Sequence, residues 1–204
     1  MTSHSHGTAD HARSVAGHRA AVTDLLAPLA AESRAEVLPL ADALGRSLVH
    51  GLLAPLSLPP FANSQMDGYA VNSADIPDGG ADLHVMAPVP AGATPQPLEP
   101  GTAAPIMTGA MIPVGADAVV PIEKAVPDHF PAPGSGAGTG ATVRLPATAP
   151  GTYVRPAGSD IAAGERALAA GTFLGPAQLG LLAALGLPEV AVYKAVTVLL
   201  VTTG

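Results

Sequence analysis

Apolar and polar positions change their spacing twice along the chain, and each change marks a change of structure. From Ser14 the apolar positions Val15, Val22, Leu25, Leu26 and Leu29 recur on one face of a helix, which ends near Pro28 and the polar pair Glu32-Ser33. Residues 36–40 read as a short extended run. Residues 41–44 read as a helical turn closed by Gly45, because glycine accepts the left-handed conformation just past a helix. Between Pro59 and Pro150 the pattern becomes short apolar runs, at 83–85, 104–107, 118–122 and 142–145, separated by Pro and Gly. That pattern predicts a β-rich module. Beyond Pro150, residues 174–179 open a helix with Pro176 in its first turn, where an N–H would have no partner, and Gly186 ends it beyond Leu185. Strands are predicted at 189–193 and 196–201.

The last of these runs, Val196-Thr197-Val198-Leu199-Leu200-Val201, has the composition of a parallel strand buried on both faces. In α/β sheets ligands bind beyond the carboxyl ends of the strands, where this chain has Thr202-Thr203-Gly204. The expectation is a chain truncated after the first strand of a further domain. At the other end, His4, His6 and His11 lie in a Ser/Thr/Gly-rich lead with nothing to organise them into a metal site. Residues 1–13 therefore read as a disordered tail. The Gly- and Pro-rich segment 131–140 reads as an exposed loop tip without chemistry.

Composition narrows the functions. The 204 residues include 23 Gly and 22 Pro, and only 12% are charged, which favours short strands and turns over a helical bundle. The net charge of −7 comes with no Lys/Arg stripe, which argues against a nucleic-acid backbone as partner. An anionic substrate would need a local cation or a bound metal. Without Cys there is no disulfide, no thiolate nucleophile and no Cys-based zinc site. The N-terminus lacks the apolar core of a signal peptide, and residues 179–201 are interrupted by Gly186, Pro188, Glu189 and Lys194, so they do not make a membrane span. The reading is a soluble cytoplasmic protein.

Most of the chemical information lies in Pro59-Pro60-Phe61-Ala62-Asn63-Ser64-Gln65-Met66-Asp67-Gly68-Tyr69-Ala70-Val71. Three short polar side chains stand there between an apolar anchor and an apolar strand start, where a rigid backbone fixes them. On residue types alone, Asp67-Gly68 is a hairpin signal, because glycine accepts positive φ and Asp tolerates it. Thr108-Gly109 follows an apolar run and sets a hydroxyl beside a permissive backbone, a combination that presents successive N–H groups to an oxyanion or forms a local Thr turn. Arg155 and Asp160 either face one pocket or make a solvated surface pair. Asn63 and Ser64 either contact a ligand or fix the turn through bonds to backbone.

The first of these segments closely resembles the signature of the molybdopterin molybdenumtransferases of molybdenum-cofactor biosynthesis, the gephyrin-like family. Residues 106–120, beginning Ile106-Met107-Thr108-Gly109-Ala110, resemble its second segment, and Arg155-Pro156-Ala157-Gly158-Ser159-Asp160-Ile161 resembles its Arg-x-x-Gly-x-Asp-Ile segment. The resemblance runs from about Ser14 to Gly204 and corresponds to the N-terminal half of a family member. It implies a β-rich α+β fold: an elongated, discontinuous helix/strand domain (14–58 and 150–195), an inserted β-barrel-like domain (59–149), and the first strand (196–204) of a truncated α/β molybdopterin-binding domain.

The reaction implied is insertion of molybdate into adenylylated molybdopterin with release of AMP, assisted by Mg2+. Both reactants are oxyanions, so such a site needs N–H and hydroxyl donors and carboxylates that hold magnesium over the phosphate. The resemblance makes Asp67, Thr108 and Asp160 the candidate catalytic residues. It assigns Asn63, Ser64, Gly109 and Arg155 to substrate binding, with Asp67 and Asp160 as candidate metal ligands. It also implies a homodimer that shares its cleft between subunits, and a molybdopterin adenylyltransferase as donor of the substrate. Ala62 stands where family members usually carry Asp, so one potential carboxylate or turn cap of the signature is missing; because the family also draws acidic and basic residues from a third domain, at most half of the site is expected in this chain. The competing reading is a binding or dimerisation module without turnover.

Overall fold

The computed structural model describes residues 14–30, 34–131 and 140–202. The expected tail and nearly all of the segment 131–140 lie outside the described residues. In chain order the elements are α1 (Val15–Leu26), β1 (Ala35–Pro39), β2 (Leu52–Leu53), β3 (Asn63–Ser64), β4 (Gly68–Val71), β5 (Ala81–Val85), β6 (Thr102–Ile106), β7 (Ala118–Pro121), β8 (Thr142–Leu145), β9 (Val154–Arg155), β10 (Arg166–Leu168), α2 (Pro176–Ala184) and β11 (Glu189–Tyr193). The chain divides into two units: Met1–Leu52 with Leu168–Gly204, and the continuous stretch Leu53–Ala167. The fold is β-rich with few helices.

The continuous unit is built on a five-stranded sheet of order β7-β4-β6-β5-β8. Neighbours are antiparallel except β5 and β6, which run parallel with His84 opposite Thr102. Alternation along the strands explains how the sheet is held. Tyr69 and Val71 of β4, Ala103 of β6 and Ala118 and Val120 of β7 join one buried cluster, which also takes Leu83, Val85, Val143 and Leu145. Their sequence neighbours Ala70, Ala104, Ile106 and Val119 point the other way into a second cluster. Strands β7, β4 and β6 are thus covered on both faces. In β5 and β8 only alternate residues are buried, and Asp82 pairs with Arg144 on the outer face at 3.1 Å. Just past β7, Val126 and Arg144 exchange backbone hydrogen bonds at 3.0 and 2.9 Å, which brings the two ends of the sheet together and curls it into a half-barrel.

In the discontinuous unit, β1 and β11 pair antiparallel from Ala35 opposite Tyr193 to Pro39 opposite Glu189. Leu182 of α2 packs with Ala43, Leu48, Leu174, Val190 and Val192, all buried. The Arg46 guanidinium bonds Glu36 of β1 and the Tyr193 carbonyl of β11, tying the pair at its end. The expected turn after β1 is a 3-10 turn over Leu40–Asp42, and Gly45 lies beyond it at φ 78°. α1 forms where the apolar spacing predicts, with the Ser14 hydroxyl accepting from the Gly17 amide at 3.1 Å. None of its residues is buried.

One predicted element is absent. Residues 196–201 form no strand, and Val198, Leu199, Leu200 and Val201 are 80, 86, 85 and 73% exposed. The composition favours a strand, but a strand exists only where another offers its N–H and C=O groups, and no described strand does so here.

Candidate functional site

The segment 59–71 lies between the two other segments singled out from the sequence. On one side β3 pairs antiparallel with β9, Asn63 opposite Arg155 and Ser64 opposite Val154. On the other side the Ser64 amide donates to the Ala110 carbonyl at 3.0 Å, the Gly109 amide donates to the Ser64 carbonyl at 2.8 Å, and the Ile112 amide donates to the Ala62 carbonyl at 2.9 Å. Backbone hydrogen bonds therefore bring all three segments side by side. The paired stretches are too short for any hydrophobic period to announce them.

From β3 the chain reaches β4 through Gln65, Met66 and Asp67. A Cβ on Gly68 would lie 2.1 Å from the Val120 carbonyl oxygen, far inside contact distance, so β4 approaches β7 closely only because this residue has no side chain. Gly68 is not in the positive-φ region. The hairpin reading of Asp67-Gly68 is corrected accordingly: the glycine serves a close backbone approach inside a sheet, and the turn precedes it.

Asp67 Oδ1 accepts two hydrogen bonds from Thr108, one from its amide and one from its hydroxyl, both at 2.7 Å. The hydroxyl, and after it the amide, holds the Asp67 carboxyl below its ordinary range against a small opposing effect of burial. Asp67 is exposed, and among the described residues Oδ2 takes no hydrogen bond. The site thus presents an ionised carboxylate with one oxygen fixed and the other open to water.

These bonds overturn the expectation that Thr108 and Gly109 present successive N–H groups to an oxyanion. Both amides are engaged, one by the Asp67 carboxylate and the other by the Ser64 carbonyl. Gly109, at φ 80°, has no atom within 4 Å of the place a Cβ would occupy, so the loop is open there.

Arg155 Nη2 donates to both oxygens of Asp160 at 2.6 and 2.7 Å, and its Nε donates to the Ser159 hydroxyl at 3.1 Å. The two side chains are 42 and 57% exposed. Asn63 and Ser64 are buried at 8 and 1%. The Ser64 hydroxyl donates to the Met66 carbonyl at 2.6 Å and accepts from the Met66 amide at 3.3 Å, while Asn63 Nδ2 donates to the Phe61 carbonyl at 3.4 Å. Of the two alternatives for this pair, the geometry displays the turn-fixing one.

Among the described residues no three His, Cys, Asp or Glu side chains gather as a metal cage. Magnesium is commonly held by one or two carboxylates, with water and substrate phosphates completing its shell. Asp67, with one open oxygen, fits such a shared ion. Asp160 is already engaged, each of its oxygens accepting from Arg155 Nη2.

Two contributors carried no sequence signal. Tyr153 sits at φ 53° and its carbonyl accepts from the Gln65 amide at 2.9 Å, fixing the chain on the β9 side. Asp117 accepts from the Ser73 amide and hydroxyl, both at 2.7 Å, and braces the exit of β4. A left-handed tyrosine cannot be read from its neighbours, and the Asp117 partner lies 44 residues away.

Residues 13–186 match the family model described as MoeA N-terminal region (domain I and II). The chain is 41% identical over 197 residues to molybdopterin molybdenumtransferase 2 of Mycobacterium tuberculosis, covering 94% of this chain and 45% of the relative. It is 35% identical over 188 residues to the molybdopterin molybdenumtransferase of a Nostoc species, covering 90% of this chain and 41% of that one. A crystal structure of the molybdopterin biosynthesis moeA protein from Pyrococcus horikoshii OT3 superposes with a TM-score of 0.71 at 30% identity, over 86% of this chain and 45% of the other. The chain spans less than half the length of these relatives.

Proposed function

The chain belongs to the MoeA N-terminal region family, and from that premise we propose that it acts in molybdenum-cofactor biosynthesis, supplying part of the site that inserts molybdate into adenylylated molybdopterin with release of AMP. The observation that carries this reading is the convergence of residues 59–71, 106–120 and 155–161 on β3, with an ionised carboxylate, a hydroxyl and a guanidinium along it. In this reading Asp67 is the reacting-site carboxylate, and Thr108 fixes the direction of its free oxygen. Bound there, magnesium would neutralise the phosphate and the incoming oxyanion. Arg155 faces the anionic substrate with the N–H groups that Asp160 and Ser159 leave over, and Asp160 orients it. Gly109 leaves room for the ligand.

The same reading carries a homodimer with a shared cleft, a molybdopterin adenylyltransferase as donor, and a cytoplasmic location. No described helix is long and apolar enough to cross a membrane. A binding or dimerisation module without turnover is the second reading, favoured by one observation: both candidate carboxylates already hold internal partners. Following AMP release from adenylylated molybdopterin on addition of molybdate, in the protein carrying this chain, separates the two. Release that survives Asp67→Asn and Arg155→Ala together would place the chemistry outside these residues.

A further inference from the structure

Met66 is the weak link between two pinned points. On its N-terminal side Ser64 is held by Ala110 and Gly109, and Gln65 donates to the Tyr153 carbonyl. On its C-terminal side the Asp67 carbonyl accepts from the Ile122 amide at 3.0 Å and Gly68 is locked against β7. Met66 itself makes no backbone–backbone hydrogen bond among the described residues. Its amide and carbonyl are both served by one atom, the Ser64 hydroxyl oxygen. A short polar side chain bonding backbone two residues on is a local turn device, and here it dictates the path by which the chain arrives at Asp67.

We propose that Ser64 is a positioning residue, whose hydroxyl folds residues 64–66 so that the Asp67 carboxylate meets the amide and hydroxyl of Thr108. This rests on the reading of Asp67 as the reacting-site carboxylate. Ser64 is 1% exposed and its hydroxyl is bonded to Met66 on both donor and acceptor sides, which suits a role through the backbone rather than as a substrate contact. Its backbone also holds Gly109, so one residue sets both partners of the Asp67–Thr108 contact: the loop through its carbonyl and the carboxylate through its hydroxyl.

The test uses Ser64→Ala, which removes the hydroxyl and leaves the backbone bonds in place. Amide hydrogen exchange on the full chain is expected to speed up about tenfold or more at Thr108, which loses a well-aligned acceptor, while Ala70 and Val120 in the sheet exchange as before. Equal acceleration at Thr108, Ala70 and Val120 would show a merely structural serine, and unchanged exchange at Thr108 would show that the hydroxyl does not steer Asp67. Ser64→Cys, which keeps a weak donor at the same place, is expected to restore part of the protection, and no recovery overturns the proposal. In the activity arm, Ser64→Ala is expected to lower kcat about tenfold with little change in KM, and to add nothing in an Asp67→Asn background. A raised KM with kcat intact would make Ser64 a substrate contact. If the exchange result holds but Asp67→Asn leaves turnover unchanged, the positioning stands and the role given to Asp67 falls.

Discussion

Asp67 and Thr108 are joined by two hydrogen bonds to a single oxygen, each 2.7 Å long, across 41 residues of sequence. One carboxylate oxygen is thereby fixed and the other left open, which is the arrangement a group needs if it must be both rigid and available.

Replacing Asp67 by Asn keeps an acceptor for both Thr108 donors and removes the charge. The expected outcome is a protein destabilised by no more than about 1 kcal/mol, since only the charge-assisted share of the bonds is lost. Molybdate insertion is expected to fall roughly ten- to hundredfold. Thermal melting and AMP release on the same preparations check the split.

The Asp67 carboxyl is depressed first by the Thr108 hydroxyl and then by the Thr108 amide. A group whose folded pKa lies below its unfolded value of about 4 stabilises the fold above that pH and loses the contribution as pH falls through the folded value. Thr108→Val removes the larger cause, so the Asp67 carboxyl should titrate at higher pH and stability should depend less on pH in the acid range. Carboxyl NMR titration and denaturant unfolding below about pH 5 measure both.

Gly68 and Gly109 provide a contrast. Alanine at Gly68 places a methyl 2.1 Å from the Val120 carbonyl oxygen, and β4 and β7 must separate to admit it. Gly68→Ala is expected to cost about 3 kcal/mol or prevent folding. Gly109→Ala meets open space and only the left-handed backbone resists it, at about 1 kcal/mol. Chemical denaturation ranks the two.

Arg155 and Asp160 make a half-exposed pair, so their coupling in a stability double-mutant cycle should stay below about 1 kcal/mol. Arg155→Lys, which lacks the planar fork, should nevertheless weaken substrate binding while melting normally. A binding isotherm with adenylylated molybdopterin, compared with the melting curve, decides it.

Strands with a clear period were legible: residues 142–145 and 189–193 coincide with β8 and β11, because alternate residues there face a core. The two-residue strands β3 and β9 were not, since so short a stretch has no period, yet they bring Asn63 opposite Arg155. The parallel pairing of β5 with β6 is a property of topology that no local pattern records. The candidate residues were found from their motifs, but their hydrogen-bond partners were not. Thr108 and Gly109 look alike as donors in sequence, and only the fold shows that both amides are taken. The run 196–201 has the composition of a strand but forms none, since no described strand pairs with it.

The β1–β11 ladder joins segments made far apart in time. Its strands lie about 150 residues apart in sequence, so pairing them directly closes a very long loop, whereas the intervening half-barrel draws together contacts much closer along the chain. At a synthesis rate of about 5–20 residues per second, β1 emerges roughly eight to thirty seconds before its partner exists. During that interval the early segment has no partner strand, and the discontinuous unit cannot be completed until β11 has been made.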